Sequence, residues 1–259
     1  MLFQIKSYLK FLWYSKNEHA VHSPFVFNLV TNCFYDKKHK SEYVLLTEYR
    51  NSFLKNKNSI QVTDFGAGSK VFKSNTRPIS EIAKNAGISP KRAQLLFRIT
   101  NYFKPDFVLE IGTSLGLATT ALALGNTNAK IITLEGCPET AKKAQIGFQE
   151  FNIKNVESVV TEFSNYFKTQ DLKPKTQDLI YFDGNHSKTA TLAYFESLLP
   201  TIKNETVWIF DDIHWSAEME EAWEIIKNHS KVTVTIDTFQ WGLVFFRREQ
   251  EKEHFVIRV

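Results

Sequence analysis

The sequence predicts a doubly wound α/β fold: a mostly parallel, seven-stranded sheet with an antiparallel edge, preceded by a helical N-terminal cap. Three observations carry this. From residue 106 onward, short apolar runs alternate with helical patterns of about 11–13 residues, the signature of successive βα units. Before residue 106 no strand pattern is convincing and the apolar spacing is helical. The charge also changes sign near Pro105. Residues 1–105 hold 17 Lys/Arg against 6 Asp/Glu, whereas residues 106–259 hold 15 against 22. With 259 residues available, the predicted division is a cap or lid over 1–89 and a sheet domain over 90–259.

Composition narrows the class. Apolar residues at 43% and charged residues at 23% exclude a disordered or collagen-like chain. The two cysteines, Cys33 and Cys137, form no Cys-x-x-Cys pair, which disfavours a thiolate zinc site or a disulfide scaffold and fits a reducing cytoplasm. No run of 18 apolar residues is present, so no transmembrane span is expected, and residues 1–16 lack the long apolar region and small-residue cleavage site of a signal peptide.

The cap reads in order as follows. Leu2, Ile5, Leu9, Leu12 and Trp13 recur at spacings near three and four, as in a short amphipathic helix. After the His19–Pro24 punctuation, 25–34 reads as an apolar helix and 43–54 as another. The polar, Gly-containing stretch 62–76 reads as a loop. Two helices follow between Ile79 and Phe103, broken at 87–90, with Ser89 as N-cap and Pro90 in the first helical position.

The sheet domain then runs strand 107–111, helix 114–124, strand 130–134, helix 139–151, strand 156–160, strand 178–182, helix 188–199, strand 206–210, helix 217–228, and closing strands 232–237 and 242–247. Residues 254–259 are a candidate terminal strand. The last strands have no helix between them, hence the antiparallel edge.

The sharpest chemical signal lies at 108–116, VLEIGTSLG. An apolar strand ends in Glu110, and Gly-x-x-x-Gly then opens a helix. Gly112 lets the backbone pass close to a ligand, Gly116 lets helix and strand pack closely, and Thr113 and Ser114 present hydroxyl and N–H groups at a helix N-terminus. The Gly-x-Gly-x-x-Gly of dinucleotide sites and the Gly-Lys-Ser/Thr of phosphate loops are both missing from this turn. The next strand ends in Glu135-Gly136, where a carboxylate can accept both hydroxyls of a ribose. The third ends at Glu162-Phe163, where a polar side chain and a ring can frame an adenine. The fourth ends in Asp183-Gly184-Asn185-His186, and the fifth in Asp211-Asp212-Ile213-His214.

On these residues, 90–215 resembles a class I S-adenosylmethionine-dependent methyltransferase of the O-methyltransferase group that includes the catechol and caffeoyl-coenzyme A enzymes. The resemblance implies a Rossmann-like cofactor-binding domain over 90–259. It implies that Glu110, Gly112, Thr113, Ser114 and Gly116 hold the methionine moiety, and that Glu135, with Gly136, binds the ribose. It further implies that Glu162 and Phe163 contact adenine and that Asp183 sits beside sulfonium and acceptor.

An acceptor hydroxyl must lose its proton, to a base or with the help of a metal. His186, three residues after Asp183, is the first candidate base, with capping of the next helix as its bland alternative; His214 is the second. Asp183, Asp211 and Asp212 are candidate oxygen ligands for Mg²⁺ or Ca²⁺, although the metal-dependent members of the resembled group carry Asp-Asn where this chain has Asp211-Asp212.

Rival readings have their own residues. The run 64–69, DFGAGS, mimics a cofactor turn but is followed by polar, basic sequence; it reads as a loop or lid. Residues 79–100 resemble a DNA-binding helix-turn-helix, yet the second helix has a broad apolar face and runs straight into the first strand, so no nucleic-acid partner is expected. Residues 1–35, with Phe3, Phe11, Trp13, Tyr14 and Lys6, Lys10, Lys16, permit core packing, a homodimer contact or an interfacial helix. A non-catalytic cofactor binder is a further alternative. The favoured reading is a cytoplasmic S-adenosylmethionine-dependent methyltransferase acting on an oxygen of a small-molecule acceptor, anionic if the basic half lines its pocket.

Overall fold

The computed structural model describes residues 2–63, 65, 74–169 and 177–259. The chain divides into two compact units, residues 1–35 with 171–259, and residues 36–170. The N-terminal helices are thus shared between them.

The 36–170 unit starts with α3 (Glu42–Lys55), after α1 (Leu2–Tyr14) and α2 (Pro24–Leu29) of the other unit. It continues through β1 (Ser59–Gln61), β2 (Thr76–Pro78), α4 (Ile79–Asn85), α5 (Pro90–Phe103), β3 (Phe107–Ile111) and α6 (Leu117–Gly125), then β4 (Lys130–Glu135), α7 (Pro138–Glu150), β5 (Val156–Val160) and α8 (Phe163–Thr169). Strands β3, β4 and β5 lie side by side and parallel, with Ile111 opposite Leu134 and Glu135 opposite Val160. The strands form where short apolar runs such as Val108-Leu109 and Ile131 can be wholly buried. Ser89 caps α5 by accepting a hydrogen bond from the Arg92 N–H, with Pro90 next, as the sequence predicts.

Two expectations change in this unit. The segment read as strandless holds a small antiparallel ribbon, in which Ile60 pairs with Arg77. Three-residue strands, one ending in Pro78, are too short to show a period of two. The helix-turn-helix resemblance also finds a different use. Ala93, Leu95, Leu96, Phe97, Ile99 and Thr100 of α5 are all buried, so one broad face of the helix is a core element. Of the 64–69 run, only Phe65 falls among the described residues.

The other unit holds α1, α2 and a π-helical turn at Val30–Phe34, then β6 (Leu179–Phe182), α9 (Lys188–Leu198), β7 (Val207–Asp211), α10 (Ala217–Asn228), β8 (Val234–Asp237), β9 (Trp241–Phe245) and β10 (Glu253–Val256). Its strand order is β10-β8-β9-β7-β6. Strands β6 and β7 are parallel, β9 is antiparallel to both β7 and β8, and β10 is parallel to β8. The antiparallel strand therefore lies inside the order rather than at its edge, and the candidate strand over 254–259 is present as β10. Strands β6, β7 and β9 are buried along their whole length. Their core is aromatic: Phe182 stacks on Phe210 at 4.1 Å, and Trp208 meets Phe195 and Phe246 edge-on. No helix among the described residues is long and apolar enough to cross a membrane.

Candidate functional site

The C-terminal ends of β3, β4 and β5 bring the first group of predicted residues together. The turn after β3 needs unusual backbone: φ is +106° at Gly112, +48° at Ser114 and +75° at Gly116. Glycine relieves two of these positions. At Gly116 a Cβ would also collide with the Phe148 ring and the Tyr49 hydroxyl, both under 3.0 Å away. Because Ile111 is in register with Leu134, the turn lies next to Glu135. The N–H groups of Gly112 and Thr113 both donate to the Leu134 carbonyl at 3.0 Å, which fixes the turn against β4.

Glu135 is half-buried at the end of β4. Its Oε2 accepts the Ser114 N–H at 2.7 Å, and its Oε1 accepts the Cys137 N–H at 2.9 Å. The carboxylate is thus held in one orientation by backbone donors of two neighbouring turns. One strand further, the Thr161 N–H donates to the Glu135 carbonyl at 2.9 Å, so Glu162 and Phe163 begin α8 beside the same edge. Glu162 is exposed, with the Asn165 side-chain amide 3.5 Å from its Oε2. Phe65 completes the surroundings: a Cβ on Gly136 would meet its ring at 2.7 Å, so Gly136 is the close seat of an aromatic side chain.

Glu110 and Thr113 lie deeper than Ser114. Glu110 is fully buried, and its Oε2 accepts hydrogen bonds from Thr119 and Thr133, the latter at 2.6 Å. Its Oε1 has no hydrogen-bond partner among the described residues. Burial pushes its pKa up to about 8, against the pull of the two threonines and with a further push from Glu135, so the group is mostly neutral at pH 7. The Thr113 hydroxyl meets the Thr133 hydroxyl at 2.5 Å and is equally enclosed. Both side chains support the turn from beneath; Ser114 is the half-buried one of the set. Sequence reading missed this cage and missed Tyr49, whose hydroxyl donates to the Leu115 carbonyl at 3.0 Å from far along the chain. Only the apolar spacing of α3 hinted that Tyr49 faces inward.

In the other unit, Asp183 follows β6, and the His186 Nε2 lies 3.5 Å from the Asp183 Oδ1. Both side chains are partly exposed, at 27% and 22%. His186 is not the cap of the next helix: Ser187 is, accepting the Ala190 N–H. After β7 the geometry departs from expectation. Asp211 is buried, its Oδ2 accepting from the Tyr181 hydroxyl at 2.9 Å and its Oδ1 from the Asp212 N–H at 2.8 Å. Asp212 adopts φ +55°. Among the described residues no three His, Cys, Asp or Glu side chains gather as a cation site requires. Asp211 meets the Tyr181 hydroxyl, and Asp183 and Asp212 follow β6 and β7.

His214 is not a free base either. Its Nε2 lies 2.9 Å from Asp237 and its Nδ1 3.3 Å from Glu220, and its ring stacks on Phe239. Burial pulls its pKa down, but the bonds and charges of Asp237 and Glu220 more than offset this, so its pKa lies above the ordinary histidine value. It is a side chain clamped between Asp237 and Glu220.

Residues 109–213 match the family model described as a methyltransferase domain. Among solved structures, the S-adenosylhomocysteine-bound methyltransferase of Podospora anserina is 14% identical, with a TM-score of 0.60 over 88% of this chain and 97% of that one. The O-methyltransferase of Bacillus cereus, solved with S-adenosylhomocysteine, is 17% identical, with a TM-score of 0.55 over 83% and 94%. The O-methyltransferase TomG of Streptomyces achromogenes, involved in tomaymycin synthesis and solved with S-adenosylmethionine, is 15% identical, with a TM-score of 0.57 over 84% and 95%. No curated protein matches the sequence. These likenesses establish a Rossmann-like α/β fold of the kind these methyltransferases have.

Proposed function

We propose that the protein is an S-adenosylmethionine-dependent methyltransferase acting on an oxygen of a small molecule. The observation that carries this is Glu135, a half-buried carboxylate held by the Ser114 and Cys137 amides beside the Gly112–Gly116 turn. A fixed carboxylate next to a glycine turn suits the two hydroxyls of a ribose, which donate to it. Ser114 faces the methionine part, with Glu110 and Thr113 bracing the turn below. Glu162 and Phe163 line the adenine edge. The bound cofactor supplies a methyl group on a sulfonium, already activated for displacement.

What this chain must add is orientation, exclusion of water and removal of one proton. His186 takes the proton from the acceptor hydroxyl, and Asp183, at ion-pair distance, stabilises the imidazolium that results. The new carbon–oxygen bond forms as the carbon–sulfur bond breaks, so the only charge left to the protein is that proton. The excess of Lys/Arg over Asp/Glu in residues 1–105 supports an anionic acceptor.

Transfer of a radiolabelled methyl group to a panel of hydroxyl acceptors tests the activity. Turnover that falls by 10²–10⁴ in His186→Gln, with cofactor affinity unchanged, is the expected result. Tight S-adenosylhomocysteine binding with no transfer to hydroxyl or amine acceptors would instead identify a non-catalytic binder.

A further inference from the structure

The first helix presents two apolar faces, and only one is used in folding. On its inner side, Phe11 is buried and packs with Tyr8 around Phe239. Ser7 donates to Glu220 at 2.9 Å, Lys10 reaches the same carboxylate at 3.6 Å, and Gln4 donates to the Trp215 carbonyl. The helix is therefore seated on α10 and the turn before it.

Its outer side is a second stripe. Leu2, Ile5, Leu9, Leu12 and Trp13 fall within an arc of roughly 100° on a helix of 3.6 residues per turn. Trp13 is 85% exposed, Leu2 78%, Leu9 61% and Ile5 51%. Isolated exposed apolar residues are ordinary, but four of this size in one row are not. Lys6 lies along one flank and Lys16 just past the end, and the chain carries no carboxylate before Glu18. The stripe also runs inward. Ile5 and Leu9, with Tyr8, form one wall of a cavity of about 370 Å³ whose other side includes Trp215, Phe239 and Asp212.

We propose that α1 lies on an anionic lipid surface, with Leu2, Ile5, Leu9 and Trp13 in the interfacial region and the lysines among the headgroups. A short helix with an apolar face, a basic flank and a tryptophan near its end has the chemistry of an interfacial anchor. Charge complementarity selects this occupant over a second copy of the chain, which would bring one lysine row against another.

The test is flotation of the full chain with phosphatidylcholine vesicles, with and without a phosphatidylglycerol fraction. Binding to the anionic vesicles, little to the neutral ones, and a blue-shifted tryptophan emission are expected. Lys6→Gln with Lys16→Gln should weaken binding by roughly 30-fold. Leu2→Glu with Trp13→Glu should abolish it while far-UV circular dichroism and S-adenosylhomocysteine affinity stay as in the wild type. Failure to float with anionic vesicles overturns the proposal. So does equal binding to both vesicle types, or a dimer in gel filtration that the Leu2→Glu/Trp13→Glu variant splits without any vesicle binding in the wild type. None of these results depends on methyl transfer.

Discussion

Glu110 makes the stability of this fold depend on pH in a way that one substitution isolates. Its folded-state value of about 8 compares with 4.5 for the free group, and burial is the main cause. Between those values the folded protein holds a proton that the unfolded chain has released. The contribution is therefore fully present below about pH 4.5, declines as pH rises, and is gone above about pH 8. At 1.36 kcal/mol per unit, the part lost between pH 5.5 and pH 8.5 is on the order of 3 kcal/mol. Glu110→Gln keeps an oxygen for Thr119 and Thr133 but cannot titrate. Urea unfolding followed by tryptophan fluorescence, at both pH values, gives the double difference. The wild type should lose more stability than the variant over this range, by that amount. Equal losses in both proteins would refute a neutral Glu110 at the base of the turn.

Further outcomes follow from neighbouring contacts. Tyr49→Phe leaves the buried Leu115 carbonyl without its donor and should cost about 1–2 kcal/mol in the same unfolding assay. His214, raised by Asp237 and Glu220, contributes stability below its ordinary value that is lost as pH rises through the raised one. His214→Gln should flatten that dependence in thermal melts taken across neutral pH, and an unchanged slope would contradict the clamp. Asp183→Asn should lower turnover at least tenfold, and by less than His186→Gln, because Asp183 acts on a charge that His186 carries.

Much of this molecule was legible because burial leaves a plain mark. Strands such as 107–111 and 156–160 are short runs bounded by turn residues, and the structure keeps those bounds. Helix 217–228 is bounded by its Ser216 cap as the sequence suggests. The adjacency of the Gly112 turn, Glu135 and Glu162 also follows from parallel order alone, since each ends a successive strand. What stayed hidden depends on partners distant in sequence. Thr119 and Thr133 come from a helix and a strand on either side of Glu110, and nothing local marks them as its cage. Asp237 and Glu220 reach His214 from separate elements, which turns a candidate base into a clamp. The Asp211 carboxylate passes for a metal ligand in the sequence, where nothing marks its contact with Tyr181. The ribbon at 59–61 and 76–78 and the short helix 163–169 were missed because neither is long enough to establish a period.

The central claim is that Glu135 holds the ribose of the methyl donor. Isothermal titration of S-adenosylhomocysteine into the wild type and Glu135→Ala measures it directly. Saturable binding by the wild type, weakened in the variant by on the order of 2–4 kcal/mol through the loss of two charge-assisted hydrogen bonds, is the predicted result. Equal affinity in a variant that is folded by circular dichroism would contradict it.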